Sequence, residues 1–141
     1  MRNKISLVFL AFILVLIPLF TGCAGAKAPT VTDLEKSWAI DQIKAYSEVL
    51  DAAIAQDGYT LSLAITVPAA TSEARAKELG EFFVRSTKNF ALLESDEKQK
   101  EPVPGKEIGE GIFDYLITVA SPDGTIIVQG AKAKNAIHIT W

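Results

Sequence analysis

The stretch Tyr59–Pro68, YTLSLAITVP, constrains this chain more than any other. Leu61, Leu63, Ile65 and Val67 alternate with Thr60, Ser62, Ala64 and Thr66. A period of two describes a strand with one apolar face and one face of small and polar residues. Pro68, which lacks a backbone donor, ends it. On both sides the apolar residues recur at three- and four-residue steps instead, the period of a helix packed along one stripe. A half-buried strand between two amphipathic helices has to share its core with them.

The first helix is expected over TVTDLEKSWAIDQIKAYSEVLDAAIAQDG, Thr30 to Gly58. Thr32 and Glu35 have the spacing of a capping box. Leu34, Trp38, Ile43, Tyr46, Leu50, Ala53 and Ile54 form its stripe, and Gly58 stands where a helix stop belongs. TSEARAKELGEFFVRSTKNF, Thr71 to Phe90, is the second helix, with Thr71 or Ser72 as cap and Leu79, Phe82, Phe83, Ser86 and Phe90 on its packed face. Gly80 inside it costs about 1 kcal/mol relative to alanine, which a close approach to the sheet would explain. Glu94–Gly111 is charged, proline-bearing and aperiodic, and loops of that length are usually functional or disordered. Three strands are expected to follow: IFDYLITVA in a central position, TIIVQG joined to it through the Asp-Gly turn of SPDGT, and AIHITW at the end. The order α-β-α-β-β-β predicts an α+β fold, a two-layer sandwich with both helices on one face of a mostly antiparallel four-stranded sheet.

The amino terminus belongs to a different physical regime. Arg2 and Lys4 precede Ile5–Phe20, sixteen residues without a charge. A basic start, an apolar run and a small-residue exit make up a secretory signal. As a retained membrane helix the run would reach only about 24 Å across a core about 30 Å thick, and Pro18 would interrupt its hydrogen bonds. The residues FTGC, Phe20 to Cys23, resemble the lipobox of bacterial lipoproteins, with phenylalanine where leucine is commoner. The resemblance implies cleavage after Gly22 and a diacylglyceryl group on Cys23, which becomes the lipidated first residue. Two acyl chains hold firmly where one holds marginally. Residues 1–22 thus read as signal peptide, 23–30 as lipidated cysteine and short spacer, and 31–141 as one domain. Ala24 carries no acidic retention mark, so the resemblance permits the outer membrane as well as the cell membrane as the site of the anchor.

Without residues 1–22, twelve Lys+Arg face seventeen Asp+Glu, a net charge of −5. An acidic domain suits neither nucleic acid nor an anionic lipid surface, both of which call for basic patches. No disulfide can form within a chain that has one cysteine. The one histidine, His138, has no partner motif and is expected to face solvent. One histidine and a cysteine spent on lipid leave no zinc set. Gly105, Gly109 and Gly111 match neither phosphate-binding nor dinucleotide-binding loops, which need a following helix, so no cofactor is expected. Glu107, Glu110 and Asp114 are the carboxylates to watch: an acid–base pair, oxygen ligands for a cation, or a solvated interaction loop, the last being the usual fate of a charge run.

Three functions from different classes follow. The leading expectation is a non-catalytic interaction module, anchored outside the cytoplasm, whose open sheet face and Glu94–Gly111 loop contact an envelope protein. The second is ligand sensing in a pocket walled by Trp38, Tyr46, Phe82, Phe83 and Phe113. The third is an envelope hydrolase using Glu107 or Glu110 with Asp114.

Overall fold

A computed structural model describes residues 27–90 and 107–141. Helix α1 (Asp33–Lys44) leads into strands β1 (Asp51–Asp57) and β2 (Thr60–Thr66), and helix α2 (Glu73–Phe90) connects these to β3 (Asp114–Ala120) and β4 (Ile126–Lys132). The fold is α+β, with both helices on one face of a four-stranded sheet in the order β1-β2-β3-β4. β1 and β2 are antiparallel, β2 and β3 parallel, β3 and β4 antiparallel. Two tight hairpins are therefore joined side by side through one helical crossover.

The element order is α-β-β-α-β-β, which corrects the expected sequence at two places. The first helix stops at Lys44, and the residues after it form β1. Ala52, Ala53 and Ala55 fit a helix stripe or a strand face equally well, so the helical period runs on unopposed in the sequence. What selects the strand is Asp57-Gly58-Tyr59-Thr60. Gly58 has φ +56° and begins a two-residue hairpin loop, so it is a turn residue and not a helix stop. The second correction is at the carboxyl end. AIHITW makes a single bridge, with Ala131 N donating to Thr140 O at 2.9 Å and Thr140 N returning to Ala131 O at 2.8 Å.

The expected devices appear at the helix starts. Thr32 N donates to Glu35 Oε2 at 2.7 Å, and Glu35 N donates to Thr32 Oγ1, closing the capping box. Ser72 Oγ accepts from Arg75 N at 3.2 Å and caps α2. The stripe of α1 is phased differently from the expectation. Ala39 and Ile43 are its buried residues, while Leu34, Trp38 and Leu50 are exposed.

The core lies between α2 and one face of the sheet. Register places Ala52, Ile65, Val119 and Val128 in one row, Ile54, Leu63, Ile117 and Gly130 in the next, and Gln56, Leu61, Tyr115 and Lys132 in a third. Leu79, Phe82, Phe83 and Phe113 close over them. Each such side chain contributes roughly 1.5–3 kcal/mol when fully buried.

Two glycines admit the last residue. A β-carbon at Gly80 would lie 2.7 Å from Cη2 of Trp141 and 3.0 Å from Ile117 Cγ2. One at Gly130 would lie 2.6 Å from Trp141 Cε3. The indole is thus pressed between the middle of α2 and β4. Overpacking of this kind costs about 1–3 kcal/mol, against a helix-propensity gain of about 1 kcal/mol for alanine at Gly80. Urea unfolding should show Gly130→Ala to be destabilising by roughly 1–3 kcal/mol. In a Trp141→Ala background the penalty at Gly130 should shrink, and Gly80→Ala should turn neutral or stabilising. Penalties unchanged without the indole would contradict the packing described.

Candidate functional site

Helices cover one face of the sheet; among the described residues no element packs on the other, the open face. Reading across it, one row is Ala53, Ala64, Thr118 and Gln129, and the next is Ala55, Ser62, Leu116 and Ala131. A third row runs Asp51, Thr66, Ala120 and Ile126, and Asp57, Thr60 and Asp114 lie at the opposite end. The middle of this surface holds no charged residue. Alanine, serine and threonine keep it flat, and Leu116, half-buried, and Ile126, exposed, add apolar area. Gln129 Nε2 donates to Thr118 Oγ1 at 3.3 Å, so the longest polar side chain there bonds within the face. Parallel strands usually have both faces covered, and here the described residues cover one face of β2 and β3.

A second polar region lies where α2 ends and β3 begins. Residues 107–111 run beside the loop that follows β4: Ile108 N donates to Ile137 O at 2.9 Å and Gly111 N to Lys134 O at 2.7 Å. Cationic side chains hold the segment from below. Lys88 Nζ donates to Ile108 O at 2.7 Å, and Arg85 Nη1 reaches Glu107 O at 3.5 Å. Asp114 Oδ1 accepts from Lys134 N at 2.7 Å, which partners the carboxylate at the start of β3. Glu107 and Glu110 are exposed. The segment therefore brings Asp114 to the corner of the open face and leaves the two glutamates in solvent. Among the described residues no group of three or more His, Cys, Asp or Glu is placed to hold a metal ion. His138 is exposed. Gly22, Cys23 and residues 94–106 of the long loop lie outside the described residues.

The aromatic residues pack on one another. Tyr46 stacks on Phe82 with ring centroids 5.3 Å apart, and Phe83 and Phe113 are buried in the core. Trp38 meets Phe90 at 5.8 Å. Arg75 lies over Tyr46, with its carbon Cζ 5.6 Å from the ring centroid, and its Nε donates to Glu48 Oε1 at 2.6 Å. That network fixes the bend after α1 to the first turn of α2.

Lys132 was not singled out by the sequence, where a lysine near a strand end reads as solvated. Its place in the inward row leaves it 1 % exposed. Nζ donates to Ala133 O at 3.2 Å and lies 6.0 Å from the centroid of Tyr115. Burial, and then the positive charge of Lys88, hold its amine below the ordinary lysine value, while Asp114 and Glu110 partly oppose them. Burial and Arg85 lower Lys88 in the same way. The alternation in β4 could have flagged it, since Val128, Gly130 and Lys132 share one phase.

No protein family, curated protein or solved structure matches this chain.

A lowered amine has a defined effect on stability. Between the folded value and the ordinary value near 10.5, the unfolded chain binds more protons, so stability rises with pH across that window. Replacing a buried charge by an apolar side chain of similar length is often neutral or stabilising. Lys132→Met should accordingly be at least as stable as the parent at pH 7, and its advantage should shrink by pH 10, as read from paired urea titrations. A variant strongly destabilised at both pH values would mean that the ammonium is a net stabilising tie.

Proposed function

We propose that this chain is an extracytoplasmic lipoprotein, anchored through Cys23 in the cell or outer membrane, that acts as a non-catalytic interaction module by binding an envelope protein on its open sheet face. The observation that carries the reading is the uncharged middle of the outer surface of β2 and β3. Water-facing strands of an acidic domain normally display charge, and a central parallel pair normally has a second layer. A flat face of Ala53, Ala64, Ser62, Leu116 and Thr118 offers a partner area without requiring it to strip water from ions. The Glu107–Asp114 segment borders this face at Asp114, whose carboxylate joins those of Asp51 and Asp57 in a charged rim around a neutral centre, a common arrangement in protein interfaces. The basic, apolar and small-residue pattern ending at Cys23 supports the anchor.

Cross-linking in native membranes, followed by recovery through a carboxyl-terminal tag, tests both halves. The expected result is one stoichiometric partner, lost when Cys23→Ser removes the anchor. Thr118→Arg places a charge in the middle of the face without entering the core. Recovery of the partner should fall at least about tenfold, because an interfacial charge left unpaired costs more than 1.4 kcal/mol. Undiminished recovery with Thr118→Arg would reject the face as the binding surface, and deletion of residues 95–106 would then test the loop.

A further inference from the structure

Helix α1 carries an apolar patch that its own packing leaves unused. Leu34 is 58 % exposed and Trp38 39 %, and their four-residue spacing puts them on one side of the helix. Ala39 and Ile43, which face the core, are centred about 140° around the helix from them, at about 100° per residue. The indole of Trp38 rests against Phe90, the last residue of α2.

The chain leaves the domain close to this patch. Val31 N donates to Gln56 Oε1 at 2.9 Å, and Gln56 Nε2 donates to Pro29 O at 2.7 Å, so β1 clamps the segment just before α1. From Cys23 to Pro29 a fully extended chain spans at most about 22 Å. Leu34 follows three residues after the clamped Val31.

We infer that Leu34 and Trp38 rest in the interfacial layer of the membrane that holds Cys23, an inference that depends on the anchored-lipoprotein reading above. Tryptophan favours the headgroup boundary, where its ring is buried and its N–H stays wet. The charges on α1 nearest the patch are acidic: exposed Asp41 lies on the same side of the helix one turn beyond Trp38, Asp33 and Glu35 flank it, and Lys36 lies on the opposite side. Zwitterionic headgroups tolerate these acids, whereas anionic ones repel both them and the acidic domain as a whole. Two side chains bind a membrane weakly on their own, but a short tether makes the contact intramolecular. The consequence is orientation. With the outer side of α1 on the lipid, the helical layer faces the membrane and the open sheet face points away from it, toward a partner.

The single cysteine and the two tryptophans allow a direct test. Residues 23–141 are coupled through the Cys23 thiol to a maleimide-headed phospholipid in phosphatidylcholine vesicles with brominated acyl chains. Trp141→Phe leaves Trp38 as the one indole, and its emission should fall at least twofold relative to vesicles without bromine. Leu34→Ser should recover part of that signal, and one-third phosphatidylglycerol at low salt should weaken the quenching. Should Trp141→Phe fail to fold, the parent compared with Trp38→Phe isolates the same signal. Unquenched Trp38 in a coupled, folded protein overturns the inference. The intact mass of protein purified from native membranes examines the anchor separately: an unmodified Cys23 there removes the premise, whatever the vesicles show.

Discussion

The parallel pairing of β2 with β3 is the constraint on which the rest of the structure depends. Two neighbouring strands running the same way cannot be joined by a tight turn, so the chain has to cross over, and α2 is that crossover. Eighteen residues of helix lie over β2, β3 and β4. α1 packs beside α2 and over β1, on the same side. β1 and β4 then attach outward as hairpin partners of the central pair. Because one crossover supplies one helical layer, the second face of the sheet has no cover from the described residues. The open surface follows from the topology; the lack of charge across its middle does not, and the proposed function rests on that.

The two sheet edges are finished differently. At β4 the returning chain bonds Ala131 through Thr140 and presses Trp141 onto Gly130 and Gly80, so two glycines, one in a helix and one in a strand, serve a single indole. At β1 the ends of the strand carry Asp51 and Asp57. Antiparallel pairing of this edge with a second copy would set those acids against each other, a common protection of free edges. With both edges guarded, the flat face is the part of the sheet left for association. Cations from α2, meanwhile, tie the 107–111 segment down through main-chain carbonyls.

Much of the fold was legible in the sequence. The alternation at Leu61–Val67 located β2 and its inward face, and Thr32 with Glu35 marked the start of α1. Ser121-Pro122-Asp123-Gly124 marked the β3–β4 turn, where the Asp123 carboxylate accepts from Ser121 Oγ and from Thr125 N. β1 was hidden because alanine has no phase: Ala52, Ala53 and Ala55 satisfy either period, and Ile54 alone does not decide between them. The Asp-Gly at 57–58 held the answer, but only pairing with β2 reveals it as a hairpin. The terminal Ile137–Trp141 alternates like a strand yet makes one bridge, because Trp141 is committed to the groove between the glycines. At the candidate site, the small residues of β2 were visible as an open face. Its other half, contributed by Leu116, Thr118, Gln129 and Ala131, depends on a register that a single sequence does not encode. Lys132 was missed because the expected strand TIIVQG ended at Gly130, two residues short of it.

These parts combine into a coherent account. On the function proposed above, a neutral sheet face and closed edges present one surface to one partner, and a tether at Cys23 keeps that surface near a membrane. Side-chain footprinting by hydroxyl radicals, carried out on native membranes and on the purified soluble domain, tests that account most directly. The prediction is that Leu116 and Ile126 are modified in the isolated domain and protected in the membrane, while Glu107 and other exposed residues off the sheet face react alike in both. Equal modification of Leu116 and Ile126 in the two preparations would contradict the claim that the open face is occupied.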